Sequence, residues 1–153
     1  MQLTDEQIER LRQSGIRLDA DGRFWHEGAE VTHAGLRAAL WRWLDRNPDG
    51  RWVLRLDERR FVYLDVEDAP FVVRSLRWEG ARAIARLSDD SEEPLDPKTV
   101  RLAKDGSARA IVKGRFPARL STAAWNALSS HIVEKNGEAF LDAEGGPYPL
   151  VSG

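Results

Sequence analysis

The sequence predicts an α+β fold made of a duplicated unit, in which each copy is a small antiparallel sheet with one packed helix. Three observations support this prediction. Short runs of alternating apolar residues are separated by glycine-containing turns, two segments have the apolar period of an amphipathic helix, and one hairpin-then-helix pattern occurs twice. An additional helix is predicted at the N-terminus.

The N-terminal helix is predicted over residues 5–13. Thr4 and Gln7 have the spacing of a capping box, and Leu3 and Ile8 stand at the two positions of a hydrophobic staple. Gly15 ends the helix.

An aromatic hairpin follows, with a strand over 16–18, the turn "DADG" and a second strand starting at Phe24. Side chains alternate along a strand, so Phe24 and His26 are expected on one face and Trp25 and Glu27 on the other. His26 and Glu27 then point apart, which favours a structural hydrogen bond by His26 over acid–base chemistry.

A second helix is predicted after Thr32, which can cap it. Its buried face has the i, i+3, i+4 spacing and consists of Leu36, Ala39, Leu40, Trp43 and Leu44. Strands are predicted over 52–56, 61–66, 71–78 and 82–87, with a corner at "EDAP" before Phe71. These elements make up the predicted N-terminal half, residues 1–87.

The predicted C-terminal half, residues 88–153, begins with "SDDSEEPLDPK", whose five carboxylates and two prolines favour a solvated linker. The earlier pattern then returns. "IRLDADG" at 16–22 is matched by "VRLAKDG" at 100–106, "EG" at 27 by "KG" at 113, and the helix by one with Trp125, Leu128 and Ile132 on its inner face. "FVYL" near 61 is echoed by "PYPL" near 147.

Composition narrows the class of protein. The chain has 153 residues, 42% hydrophobic and 31% charged, with a net charge of -2 and no cysteine. The charge gives no reason to expect a nucleic-acid partner, and the lack of cysteine excludes disulfides and thiolate chemistry. No segment has the apolar length of a membrane span, and the first residues lack the pattern of a secretion signal, so a cytoplasmic protein is expected.

Sequence motifs for catalysis are missing. His26, His33 and His131 have no metal-ligand spacing, no Gly-x-Ser-x-Gly elbow occurs, and neither glycine-rich phosphate loop is found. We therefore expect that the protein is not an enzyme and that it has no catalytic residues, no metal and no cofactor.

Basic residues cluster before the last predicted helix. Between Lys98 and Arg119 there are seven basic residues and one acid. On a strand over 107–115 the cations Arg109, Lys113 and Arg115 would share one face, either as a solvated surface or as an anion site. Arg115 and Arg119 approach the helix N-terminus, where a phosphate or carboxylate is favoured.

Glu67 and Asp68 form an acidic pair at the "EDAP" corner. They can accept backbone hydrogen bonds that pin the corner, pair with an arginine of the other half, or contact hydroxyl groups of a ligand. Trp25 can stack on a ligand ring, but packing in the core is the more economical interpretation.

The runs "DGRFWHEG", "VEDAPFVV" and "ARLSTAAWNAL" resemble the bacterial domain-of-unknown-function family numbered 1285 (DUF1285), and the resemblance extends from about Gly15 to the C-terminus. It implies a duplicated α+β core whose C-terminal half is superficially similar to a pleckstrin-homology fold. It also implies a groove between the halves for a nucleotide-like ligand in signal transduction, and no enzymatic activity. "RLDERRF" and "SDDSEEPL" depart from the family pattern, so the resemblance does not imply a ligand contact from those two blocks.

Two functions are consistent with these features. The first is a non-catalytic module that binds a small anionic, nucleotide-like ligand between its two halves. Arg115 and Arg119 would hold the anion, and the facing wall would consist of His26, Glu27, Glu67 and Asp68. The second is a scaffold that binds a protein partner through an exposed sheet surface.

Overall fold

The computed structural model describes residues 4–152 and confirms the α+β class. Within these residues the chain forms two compact units, the first ending at Asp68 and the second beginning at Ala69. The sequence prediction placed the boundary after residue 87. The difference arises because the strands at 71–79 and 82–87 belong to the same sheet as later strands of the chain.

The N-terminal unit is one six-stranded sheet with two helices. Its elements are α1 (Asp5–Leu11), β1 (Gln13–Leu18), β2 (Phe24–His26), β3 (Ala29–Glu30), α2 (Ala34–Trp43), β4 (Leu44–Arg46), β5 (Trp52–Arg55) and β6 (Phe61–Val66). The strand order is β3-β2-β1-β6-β5-β4, and β1 runs parallel to β6 while the other pairs are antiparallel.

The capping box at Thr4 is confirmed. The Thr4 hydroxyl accepts from the Gln7 N–H at 3.1 Å, and the Gln7 side chain accepts from the Thr4 N–H at 2.9 Å. The helix ends two residues earlier than predicted. Leu3 of the predicted staple lies outside the described residues.

The second helix begins one residue later than predicted. His33, not Thr32, is the N-cap, and its Nδ1 accepts from the Leu36 N–H at 3.1 Å. Ala39 and Leu40 are buried on its inner face as predicted, whereas Leu36 is 45% exposed.

One face of the N-terminal sheet forms the core. Leu18 stands opposite Phe24 on β2, and both are almost fully buried together with Leu54 of β5. The Phe24 ring meets the Trp41 ring of α2 edge-on at 4.7 Å between centroids. The opposite face carries Val53, which is also fully buried, and its cross-strand neighbour Tyr63.

The C-terminal unit has two sheets and one α-helix. Its elements are β7 (Phe71–Glu79), β8 (Arg82–Leu87), β9 (Glu92–Pro94), a 3₁₀ turn (Pro97–Thr99), β10 (Arg101–Leu102), β11 (Ala108–Val112), β12 (Phe116–Leu120), α3 (Thr122–Ser129), β13 (Ile132–Lys135), β14 (Glu138–Leu141), β15 (Tyr148–Pro149) and β16 (Val151–Ser152). The strand orders are β16-β10-β11-β12-β7-β8-β9 and β13-β14-β15.

Helix α3 packs on the larger sheet of this unit. Ser121 caps it, and Ala124 and Leu128 are fully buried. The Trp78 indole donates to the Ala127 carbonyl at 2.9 Å and stacks on the His131 ring at 3.5 Å. His131 therefore packs against a strand tryptophan.

The acidic stretch 88–98 differs from the solvated linker that its composition predicts. It contains β9, which pairs with β8, and the 3₁₀ turn. Its carboxylates have structural partners: Asp89 pairs with Lys113 at 2.8 Å, and Glu93 accepts from the Lys113 N–H at 3.0 Å. Because these groups are neutralised locally, the stretch folds as part of the sheet.

The basic strand is shorter than predicted, and its cations do not share one face. β11 ends at Val112, and Lys113 and Gly114 have φ of 51° and 76°, which turns the chain into β12. Of the residues 109, 111, 113 and 115 that the sequence predicts on one strand face, only Arg109 and Ile111 lie within β11. The prediction that Arg109, Lys113 and Arg115 lie on one strand face is therefore wrong.

Candidate functional site

The face of the N-terminal sheet opposite the core holds a cleft of about 640 Å³. Its lining comes from four separate segments of the chain and consists of Gln13, Ser14, Gly15, Ile16, Arg17, Trp25, Glu27, Gly28, Arg51, Trp52, Tyr63, Leu64 and Asp65. Clefts of roughly 300–1,000 Å³ are the usual size for small-molecule sites. This cleft lies within one unit and is the candidate site.

Strand register explains why polar side chains meet on this face. Arg17 stands opposite Trp25 on β2 and opposite Asp65 on β6. Residues directly opposite each other project to the same face. The neighbouring residue Leu18 projects to the core, so the same three strands supply both the core and the cleft wall.

A bulge in β1 forms the floor of the cleft. Gln13 pairs with Tyr63 and Arg17 with Asp65, so four residues of β1 advance while β6 advances by two. The Ser14 hydroxyl fills the gap by donating to the Tyr63 carbonyl at 2.6 Å and accepting from the Ile16 N–H at 3.0 Å. Bulges commonly re-aim side chains beside functional sites.

The backbone of the bulge favours glycine at position 15. Its φ is +69°, a conformation that glycine adopts without a steric penalty. The Glu27 Cγ lies at ordinary contact distance, 3.4 Å, from where a Cβ of residue 15 would be. The Gly15 carbonyl accepts from the Glu27 N–H at 3.2 Å, which fixes the β2–β3 turn beside the floor.

Asp19 orients Trp25 in the wall. One carboxylate oxygen of Asp19 accepts from the Trp25 indole at 2.8 Å, and the other accepts from the N–H groups of Asp21 and Arg23, both at 2.9 Å. Burial acts to raise the pKa of Asp19, but these hydrogen bonds outweigh it and hold the pKa below its ordinary value. The indole is thereby tied to the turn that precedes it.

Tyr63 and Arg51 form the opposite wall. The Tyr63 hydroxyl donates to Glu9 at 2.6 Å, and this hydrogen bond raises the pKa of Tyr63. The Arg51 guanidinium carbon lies 3.4 Å from the Tyr63 ring centroid and its NH1 lies 3.5 Å from Glu9. Both residues are therefore linked to α1 through one carboxylate.

The ion pairs at the cleft are long and exposed. Arg17 lies 3.9 Å from Glu67, with 42% and 50% of the two side chains exposed, and Arg51 and Glu9 are exposed to a similar degree. Exposed pairs of this kind contribute about 0–1 kcal/mol. Glu27 and Asp65 form no ion pair with any residue in the range 4–152.

The N-terminal candidates from the sequence have different positions. Glu27 lines the cleft, while His26 is exposed at the end of β2 and does not line it. Glu67 accepts from the Ala20 N–H at 2.6 Å, which is the corner-pinning role considered for it. Asp68 is exposed and ends the N-terminal unit.

The C-terminal candidates lie around β12. The exposed Arg115 has its guanidinium carbon 4.2 Å from the Phe116 ring centroid. Arg119 lies within β12 directly opposite Arg109 on β11. These residues belong to the other compact unit, and a groove between halves lined by both groups stays a prediction.

Sequence reasoning missed most of the cleft. Arg17, Arg51, Tyr63 and Asp65 were not named as candidates, because they meet only through the pairing of β1, β5 and β6. One sequence signal points to this cleft: β1, β2 and β6 each have an arginine or an aromatic residue, namely Arg17, Trp25 and Tyr63, at a position that faces away from the core. No group of three or more His, Cys, Asp or Glu residues in the described chain is arranged to hold a metal ion.

Comparison with known proteins shows the fold. No family model matches the sequence, and no curated protein matches it. A solved DUF1285 family protein from Silicibacter pomeroyi DSS-3 is 18% identical with a TM-score of 0.77, covering 90% of this chain and 80% of that one. A second, from Shewanella baltica OS155, is 17% identical with a TM-score of 0.64, covering 78% and 93%.

These likenesses support the DUF1285 resemblance at the level of the fold. The chain is an α+β protein with a DUF1285-like domain. Among the helices of residues 4–152, none has the length and apolar character needed to cross a membrane.

Proposed function

We propose that the protein is a non-catalytic module that binds a small anionic, nucleotide-like ligand, and that the ligand occupies the cleft on the N-terminal sheet. The observation that carries the proposal is the combination of two guanidinium groups, Arg17 and Arg51, and three aromatic side chains, Trp25, Trp52 and Tyr63, in one cleft of about 640 Å³. Signal transduction, implied by the DUF1285 resemblance, is the process in which such a module would act.

The guanidinium groups can pair with a ligand at little cost. Arg17 and Arg51 have carboxylate partners only at 3.9 and 3.5 Å, on the exposed side of the sheet. A phosphate or carboxylate that accepts two hydrogen bonds from one guanidinium forms a stronger contact than these pairs. An incoming anion would therefore replace Glu67 as the partner of Arg17 and Glu9 as the partner of Arg51. The exchange needs no change in the backbone.

The aromatic wall favours a ligand with a flat or ring-shaped part. Trp25 is held by Asp19 at 2.8 Å, so its ring is placed before any ligand arrives. A preorganised ring loses little conformational entropy on binding. Stacking on Trp25, which sequence reasoning ranked below packing, is part of this proposal.

Thermal unfolding tests the proposal. We would measure the melting temperature with inorganic phosphate, nucleoside 5′-phosphates and sugar phosphates, because a ligand at 100 times its Kd stabilises the folded state by about 2.7 kcal/mol. Arg17→Gln and Arg51→Gln should each weaken binding about tenfold or more, the loss expected for one charge-assisted hydrogen bond.

Arg86→Gln is the matched control. Arg86 is 52% exposed and pairs with Asp90 at 4.0 Å, which resembles the Arg17 pair, but it lies in the C-terminal unit outside the cleft. Equal loss of binding in Arg86→Gln would contradict a specific site. No stabilisation by any compound would refute the proposal and favour the scaffold hypothesis, and turnover of a bound compound would refute the non-catalytic part.

Arg115→Ala and Arg119→Ala test the alternative placement. If these variants lose binding while Arg17→Gln keeps it, the ligand is held by the predicted C-terminal residues and not by the cleft.

A further inference from the structure

Glu27 occupies a backbone position that its residue type does not favour. Its φ is 51°, and Gly28 follows at 86°, which makes the two-residue turn between His26 and Ala29. Turns with two positive φ angles prefer Asn-Gly, Asp-Gly or Gly-Gly, because the Cβ of other residues lies too close to the following carbonyl oxygen and only the short Asn and Asp side chains offset this cost with local hydrogen bonds. A glutamate in this turn needs a reason other than the turn.

The same chain shows the ordinary solution. Asn136 and Gly137 join Lys135 and Glu138 with φ of 55° and 79°, a turn of the same length and geometry. There the residue type matches the turn. The Glu27–Gly28 turn has the same geometry as the Asn136–Gly137 turn but has glutamate in place of asparagine.

The Glu27 side chain has no structural partner. It makes no hydrogen bond or ion pair with any of residues 4–152, and its carboxylate lies beside Gly15 on the cleft wall. Lys113, at the same φ of 51°, is the opposite case, since its Nζ lies 2.8 Å from Asp89. The fold uses the Lys113 side chain and does not use that of Glu27.

The surroundings of Glu27 indicate which ligand group it would meet. Trp25 precedes it, and Asp65 is a second carboxylate of the same cleft that has no ion pair with any of residues 4–152. Arg17 and Arg51 lie in the same walls and would repel an ammonium group. A neutral hydroxyl-bearing group satisfies a carboxylate beside an aromatic ring without adding charge, since carboxylates accept and hydroxyls donate.

We infer that Glu27 accepts hydrogen bonds from a vicinal diol of the ligand, so that the ligand is a sugar-bearing anion: its sugar ring lies against Trp25 and its anionic group reaches Arg51. This inference rests on the proposed function. The Arg51 guanidinium lies over Tyr63 of β6, two strand spacings or about 10 Å from β2, which suits a ligand with its hydroxyl groups and its anionic group at separate positions. A ribonucleotide and a free sugar phosphate share this chemistry.

Paired ligands test the inference. We would measure Kd by calorimetry for adenosine 5′-monophosphate, its 2′,3′-dideoxy analogue, ribose 5-phosphate and inorganic phosphate. The native protein should bind the diol-bearing compounds at least tenfold more tightly than the dideoxy analogue. Ribose 5-phosphate binding as tightly as the nucleotide would identify a sugar phosphate as the ligand, and much weaker binding would identify a nucleotide.

Glu27→Gln should remove the preference for the diol and leave the affinity for inorganic phosphate unchanged. Glu27→Asn should in addition raise the melting temperature, because asparagine suits the positive φ. A structural role for Glu27 predicts the reverse, namely a lower melting temperature and an unchanged preference.

The outcomes separate the two proposals. If no phosphate compound binds the native protein, the proposed function fails and the inference fails with it. If compounds bind with the help of Arg17 and Arg51 but Glu27→Gln keeps the preference for the diol, only the inference fails. A lower melting temperature in Glu27→Asn also overturns it.

Discussion

Segments 16–30 and 100–120 share a backbone plan and differ in what their side chains contact. In each, a strand leads through a five-residue turn, in which Gly22 and Gly106 have φ of 82° and 85°, into a second strand, a turn with positive φ and a third strand. In the first segment Arg17, Trp25 and Glu27 line a cleft, while Arg23 and Glu30 form an ion pair. In the second segment Lys113 pairs with Asp89 and Arg109 with Asp105.

The elements that follow have the same order in both units. A helix and then antiparallel strands come next, and β1 runs parallel to β6 as β10 runs parallel to β16. This shared order supports the predicted duplication, which stays a prediction along with the likeness to a pleckstrin-homology fold. The comparison teaches that one backbone plan can either pair its polar side chains within the unit or leave them on the wall of a cleft.

The two units differ at the last strand of this shared order. β6 is six residues long and bonds to both β1 and β5. The corresponding segment of the C-terminal unit is divided into β15 and β16, of two residues each, in separate sheets. A continuous strand is needed to carry Tyr63 and Asp65 on the same face beside β1.

The largest expected effect is on stability, and it compares the side chains at the Glu27–Gly28 and Lys113–Gly114 turns. Asp89→Ala should lower the free energy of unfolding by about 2–3 kcal/mol, because it removes the Lys113 pair and the hydrogen bonds from Ser91 at a side chain that is 13% exposed. Glu27→Ala should change it by less than about 0.5 kcal/mol. Urea unfolding measures both, and comparable values for the two variants would contradict the contrast.

The next effect tests whether the turns share a backbone. Gly28→Ala and Gly114→Ala should each lower the free energy of unfolding by about 1–2 kcal/mol, because alanine is strained at their φ of 86° and 76°. A Cβ at either position meets no atom within 4 Å, so the strain is the only expected cause. Thermal unfolding of the two variants gives the comparison. A difference of more than about 1 kcal/mol between them would show that the two turns are not equivalent.

The smallest effect concerns pH. The pKa of Asp19 is held below its ordinary value of 3.8, so its carboxylate contributes stability above that pH and loses it as the pH falls through the lower folded pKa. The Trp25 indole N–H resonance should therefore shift in NMR spectra only below about pH 3.8, in the range of that carboxylate. Asp19→Ala removes the transition, and a shift that persists in this variant would refute the assignment.

Local patterns in the sequence predicted much of the fold. The Thr4 capping box, the burial of Ala39 and Leu40, and the turn before Phe24 depend on residues within a few positions of each other. The β1 bulge and the pairing of β6 with β1 depend on contacts across some 50 residues, for which no local pattern exists. The candidate site shows the same limit. The motif around Glu27 is enough to predict it as a site residue, whereas Arg17, Arg51 and Tyr63 can be predicted only when the pairing of the strands is known.

The pairing within the acidic stretch 88–98 bears on where the chain tolerates new termini. Composition alone suggests this stretch as a place to open a circular permutant, yet an opening there would separate β9 from β8 and Asp89 from Lys113. The exposed tip at residues 57–60, between β5 and β6, forms its side-chain hydrogen bonds within the tip itself, from Asp57 to Arg59 and Arg60. Permutants of this protein should therefore be opened at that tip, despite the greater charge and proline content of the later stretch.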